Sequence, residues 1–225
     1  IQPIALVAQI CHRHNALLHS DAVQVLGKIP CRFAELGVDL MTVSAHKLGG
    51  PTGVGALVAK DLGILSPQVV GGGQELRRRA GTENVPAIAG FAAALDDNNS
   101  RTEKSGTEEL RDLLENSLET LSPGVVIFSR QSPRLPNTSC FALAGLTADT
   151  VLISLDLDGV AVSTGSACSS GKVARSHVLD AMRVEPRLAS AAIRASLGWN
   201  TTRADIDKFI AAWRRILERR NRMAA

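Results

Sequence analysis

The chain has 225 residues, 45% hydrophobic and 21% charged, enough for one large globular domain or two modest ones with real cores. A net charge of +3 is too small to imply a polyanionic partner, and 3% aromatic content with no Tyr argues against a stacking platform for single-stranded nucleic acid. No apolar run approaches a membrane span, no secretory signal is visible, and the four cysteines (Cys11, Cys31, Cys140, Cys168) lack CxxC spacing, so neither a zinc site nor a disulfide framework is indicated. A reducing cytoplasm fits this usage. The chain opens on Ile1 and enters a helix pattern almost at once, so it reads as the middle of a longer protein.

In chain order, Pro3 suits an early helix position, and Leu6, Val7, Ile10 and Cys11 recur at helical spacing through His14. The run Ala16–His19 leads to Asp21. After a connection marked by Pro30, Asp39–Val43 reads as a strand, followed by a loop from Ser44 to Lys47. Gly49–Gly53 is a turn cluster, and Val54–Val58 reads as a buried-type strand. Such alternation of strands and helices predicts an α/β layer with its chemistry at strand ends. Gly71-Gly72-Gly73 and Arg77-Arg78-Arg79 then precede Asn84, an N-cap for a helix carrying Ile88, Ala89, Ala92 and Leu95.

Between Asp96 and Thr107 the sequence turns polar, and the domain boundary is placed there, dividing 1–102 from 103–225. The second part reads as α+β. Helices are predicted over Leu110–Leu121, Thr147–Leu155, Ala174–Met182 and Arg203–Arg220. Strands are predicted over Val125–Phe128, Thr138–Leu143, Val160–Ser163 and Ala192–Leu197. The basic run from Arg214 to Arg222 is a solvated helix face on this reading.

Asp21 and the Ser44–Lys47 segment place a carboxylate, a hydroxyl, an imidazole and an amine near the ends of two successive predicted strands. A protein that holds pyridoxal phosphate needs such a set: a lysine for the Schiff base and an acid for the pyridinium nitrogen. A lysine in that role must be neutral to take a proton, which burial favours. Most lysines are simply surface groups, but Lys47 follows a buried-type strand instead of lying on a polar helix face. Asp21 fits a pyridinium partner and equally a turn or N-cap aspartate, and Gln24 could bond the ring hydroxyl. Ser44 and His46 could donate to phosphate oxygens; a turn serine and a satisfied, partly buried histidine are the plainer readings. Thr82, ahead of a helix start, fits a phosphate contact and a capping sequence alike.

Cys11 on its helical stripe and Cys140 in its strand suit small buried hydrophobes. Cys168 does not, because Ser163–Gly171 is small, polar and flexible, and Lys172 and Arg175 nearby could stabilise a thiolate. An exposed, mobile, nucleophilic thiol is the expectation there. Arg194 shares a strand face with Ser196, opposite Ile193, Ala195 and Leu197; an exposed strand arginine and a bidentate carboxylate clamp both fit it.

Taken in order, HSDAVQ, SAHKLGGPTGVGAL, GGGQE, RAGTEN, STGSACSSG and AIRASLG span nearly the whole chain. Together they resemble the cysteine desulfurases, fold-type I pyridoxal-phosphate enzymes of the class V aminotransferase superfamily. The loop around Cys168 is similar to that of the longer-loop group linked to iron–sulfur assembly and nitrogen fixation. The resemblance implies the C-terminal part of such a fold: an α/β/α large-domain portion over 1–102 and a smaller α+β domain over 103–225. It implies Lys47 as the Schiff-base lysine and the base that removes the Cα proton. Asp21 would hold the ring nitrogen, Gln24 the ring oxygen, and Ser44 with His46 the phosphate, with Thr82 reaching a neighbouring subunit's phosphate site. Arg194 would bind the carboxylate of L-cysteine, and Cys168 would take the sulfur as a persulfide, leaving L-alanine.

The partners implied are a second copy of the chain and a sulfur acceptor such as an iron–sulfur scaffold, with no nucleic acid and no membrane. Family members carry an N-terminal portion that this sequence lacks, so weak cofactor binding and little turnover are expected of it alone. A selenocysteine lyase, or a non-catalytic dimerisation or acceptor-docking fragment, is the alternative.

Overall fold

A computed structural model describes residues 1–102, 106–164 and 176–224. The chain forms two compact units, Ile1–Lys104 and Ser105–Ala225.

In the first unit, α1 (Ile4–Arg13) leads to β1 (His19–Asp21), and the short α2 (Phe33–Leu36) to β2 (Leu40–Ser44) and β3 (Gly55–Ala59). The sheet order is β1-β2-β3; β1 runs parallel to β2, pairing Asp21 with Thr42, and β3 runs antiparallel, pairing Ser44 with Gly55. Alternation along β2 turns Met41 and Val43 inward. They pack with Ala22, Val38, Ala45, Leu48 and Phe91, the last from α4 (Val85–Thr102). Gly55 is fixed by close approach: a Cβ there would sit 2.6 Å from the Val43 carbonyl oxygen. Asp39, just ahead of β2, ties the unit's start to its sheet. Its Oδ2 accepts the Leu18 N–H at 2.8 Å and lies 2.9 Å from His12 Nε2. The Leu18 bond, then His12, holds the Asp39 carboxyl below the usual carboxylate range.

The helix α1 has the expected span, but the stripe read from its spacing faces outward. Leu6, Val7 and Ile10 are exposed, and Ala8 is the residue it buries. Similarly, β3 is exposed over its first three residues, against the buried-type strand expected. The one-turn α3 (Gln74–Arg77) has left-handed backbone angles at Glu75 and Leu76, a conformation costing roughly 1–2 kcal/mol per non-glycine residue.

The second unit has a four-stranded antiparallel sheet in the order β4-β5-β7-β6: β4 (Val125–Ile127), β5 (Thr138–Leu143), β6 (Ser163–Thr164) and β7 (Ile193–Ser196). One face presents Phe141, Leu143, Ile193 and Ala195 to α5 (Thr107–Leu121), α6 (Ala148–Leu157) and α9 (Arg203–Ala224). Phe141 meets Phe209 and Trp213 edge-on, at 6.1 and 5.6 Å between ring centroids, and the Trp213 indole N–H donates to Ser122 Oγ at 2.8 Å. The other face carries Ala142 and Ala192 against α7 (His177–Ala181) and α8 (Pro186–Ser190). Glu115 is buried on α5, and Arg134 reaches both its oxygens at 2.6 Å. Burial, the largest single influence, would raise the Glu115 carboxyl, but the Arg134 bonds, a Ser139 bond and the charges of Arg134 and Arg111 together outweigh it and hold the group below its ordinary range.

Candidate active site

Parallel pairing of β1 with β2 brings their C-terminal ends to one edge of the sheet, where open α/β sheets bind ligands. Asp21 is the last residue of β1 and Ser44 the last of β2. A short 3₁₀ turn, Ala45–Leu48, continues from Ser44. With three residues per turn, Ala45 and Leu48 share one side and are both buried, which leaves His46 and Lys47 displayed outward. Gly49, at φ +82°, ends the turn by donating its N–H to the Ala45 carbonyl. Ser44 Oγ and His46 Nδ1 are 2.7 Å apart, so hydroxyl and imidazole form one polar unit beside the Lys47 amine.

Asp21 Oδ1 accepts the Val23 N–H at 2.9 Å, opening a turn that carries Gln24 and ends at Lys28. The Lys28 ammonium donates to the Gln24 main-chain oxygen at 2.8 Å and to its Oε1 at 3.0 Å. Burial, and then the positive charge of Lys47, lowers the Lys28 amine from its ordinary range. The two turns therefore lie close enough for their lysines to repel. The Lys47 side chain itself is exposed, in contrast to the burial expected of it. The sequence did not single out Lys28; its position four residues after Gln24, behind Gly27, was the available signal.

Thr82 is exposed between Gly81, at φ +99°, and Asn84, whose Oδ1 accepts the Ala87 N–H at 3.2 Å and caps α4.

In the second unit, Arg194 lies in β7 with Cys140 of β5 and Ser163 of β6 as its cross-strand neighbours. All three side chains share the sheet face opposite Phe141 and Ile193. Arg194 Nε is buried without a hydrogen-bond partner, and among the described residues no carboxylate pairs with the guanidinium. Burial pushes the Cys140 thiol up to about 11, with the Arg194 charge pulling the other way. Cys168, Lys172 and Arg175 lie outside the described residues. Among the described residues no group of three His, Cys, Asp or Glu could hold a metal, and no helix is long and apolar enough to cross a membrane.

An α/β chain that gathers an acid, an amide, an amine and a hydroxyl–imidazole pair at one strand-end edge now has a place among known proteins. Residues 1–209 match the aminotransferase class-V family, and the chain belongs to that family. Among curated relatives it is similar to the cysteine desulfurase IscS of Dictyoglomus turgidum, 41% identical over 221 residues, covering 97% of this chain and 56% of the relative. A cysteine desulfurase of Klebsiella pneumoniae is 38% identical over 96% of this chain and 55% of its own length. In three dimensions the chain overlays a NifS-like protein from Rickettsia africae with a TM-score of 0.86 at 37% identity, over 97% of this chain and 58% of that one. It thus spans a little over half the length of these relatives.

Proposed function

We propose that this chain carries the lysine, cysteine and carboxylate-binding parts of a pyridoxal-phosphate-dependent cysteine desulfurase. The observation that supports this most is the meeting of Asp21 with the Ser44–Lys47 turn at adjacent parallel strand ends. The donor set fits the cofactor: a carboxylate for the ring nitrogen, the Gln24 amide for the ring oxygen, the Ser44–His46 pair for the phosphate, and an accessible amine at Lys47. When bound, the cofactor supplies an electron sink for charge developing at the substrate Cα. Thr82 serves the phosphate of a second copy's site. On this reading 1–102 is the C-terminal part of the cofactor-binding domain and 103–225 the small domain bearing the cysteine.

The remaining roles belong to the chain's own groups. Arg194 takes the L-cysteine carboxylate, a role that its planar, two-pronged guanidinium suits. Lys47 removes the Cα proton. The Cys168 thiolate attacks the substrate sulfur, the substrate C–S bond breaks, and Cβ takes a proton. The balance is L-cysteine plus the Cys168 thiol giving L-alanine plus a Cys168 persulfide. The persulfide sulfur then passes to an acceptor such as an iron–sulfur scaffold, in a dimeric protein of the reducing cytoplasm.

Incubation with pyridoxal phosphate, borohydride reduction and peptide mapping should place a pyridoxyl group on Lys47, with none on a Lys47→Ala variant. L-cysteine labelled with ³⁵S should then leave label on Cys168, and none on Cys168→Ser. Label spread evenly over the cysteines would overturn the assignment.

A further inference from the structure

We propose that Lys28 is a positioning residue which fixes the Gln24 carboxamide so that only its amino end is offered to the ring oxygen of the cofactor. The inference rests on the pyridoxal-phosphate reading of this edge.

A glutamine amide has an acceptor end and a donor end of nearly the same shape, and a half-turn about its last bond exchanges them. At an exposed strand-end turn nothing intrinsic selects one orientation. Lys28 does. Its ammonium is a pure donor and is already held by the Gln24 main-chain oxygen at 2.8 Å. It can therefore donate only to the oxygen end of the side chain, which lies 3.0 Å away. The Nε2 end is left facing away from Lys28, with no hydrogen-bond acceptor among the described residues. A ring oxygen is an acceptor, so this is the orientation that binds it; the flipped one would set carbonyl against oxygen and repel.

The placement of Lys28 is unusual for a lysine. It is half-buried in a turn otherwise packed by Val25 and Leu26, and its amine is lowered first by that burial and then by Lys47. A solvated lysine would avoid a second ammonium. Holding one there makes sense if its donors are needed on Gln24. A bland turn-capping lysine would need only the main-chain oxygen and would be indifferent to the side-chain amide.

The test uses the ¹⁵N-labelled chain, with the Gln24 side-chain amide assigned by its loss in Gln24→Ala. Without cofactor, the two Nε2 protons should resonate away from free-glutamine values in wild type and Lys28→Arg and return to them in Lys28→Met, the backbone amide spectrum reporting that the fold is kept. Unchanged Gln24 resonances in Lys28→Met would overturn the inference. With pyridoxal phosphate, Lys28→Met should bind about tenfold more weakly by absorbance titration, with its visible band displaced, and Lys28→Arg should recover most of both. The Gln24→Glu variant keeps a partner for Lys28 while deleting the donor end. It should fold as wild type and bind the cofactor as poorly as Lys28→Met; if Lys28→Met does not fold, Lys28→Gln, whose own carbonyl can hold the flipped amide, should show the same weakening. A pyridoxyl group formed on Lys47 with equal affinity in wild type and Lys28→Met overturns the inference alone, and equal affinity in Gln24→Glu overturns the ring-oxygen role of Gln24 as well. No pyridoxyl group on wild-type Lys47 overturns the cofactor reading and the inference with it.

Discussion

The two units invest their apolar residues differently. The second wraps its sheet on both faces, with Phe141, Ile193 and Trp213 almost wholly buried and a second cluster behind Ala142 and Ala192. In the first, buried side chains cluster around β2, while Leu57 on β3 and Leu6, Val7 and Ile10 on α1 stand exposed. The strand-end turns that display Lys47 and Gln24 belong to this more open unit. The difference is one of distribution: the second unit packs apolar side chains on both faces of its sheet, whereas the first gathers them around β2 and adds backbone-directed contacts such as those of Asp39.

The sharpest way to break that comparison is Trp213→Ala. Loss of a fully buried indole and its Ser122 bond should cost about 3–5 kcal/mol. Hydrogen exchange should show α5 and β5 amides losing protection while those of β1 and β2 keep theirs; uniform loss would mean the units unfold as one. Next is Gly55→Ala, whose new methyl meets backbone that a side-chain shift cannot relieve. A loss of roughly 1–3 kcal/mol, confined to the first unit, is expected in urea titration.

A smaller effect concerns acid. The Asp39 carboxyl is depressed in the folded state, so its contribution is present above the unfolded value of about 3.9 and is lost as pH falls through the lower folded one. Asp39→Asn should therefore flatten the fall in first-unit stability below about pH 4, measured by melting across pH. Smallest is Leu57→Thr, on an exposed strand position, which should change stability by no more than about 0.5 kcal/mol. A larger loss in melting temperature would show that this surface is covered in solution.

Much of the fold could be read from the sequence because its long elements have clear periods. β5 has the predicted bounds, α5 and α9 lie where leucine and charge spacing put them, and Asn84 caps α4. The mixed α/β class is the one found, and the NifS-like overlay supports it. Short elements escaped: α2 and α8 have four and five residues, too few to show a period, although Pro186 at the start of α8 is a start signal. The strand expected over Val160–Ser163 begins only at Ser163, in β6 (Ser163–Thr164). Spacing gave α1 its period but not its direction, since which face is buried depends on what packs there. At the site, strand-end placement was legible for Asp21 and Ser44. The display of Lys47 was not, because an apolar strand suggests burial while the 3₁₀ turn after it rotates Ala45 and Leu48 inward instead. The hold of Lys28 on Gln24 had only its four-residue spacing behind Gly27 as a signal, and the turn geometry that closes the pair had to come from the structure.

The high thiol pKa of Cys140 makes it a chemical bystander. With a value of about 11, only about one molecule in ten thousand carries the thiolate at pH 7. Alkylating reagents and polysulfides, which react with thiolates, will largely pass it by. Mass-spectrometric labelling of the intact chain therefore carries its own internal reference: a cysteine held protonated by burial, against which any reactive one can be ranked.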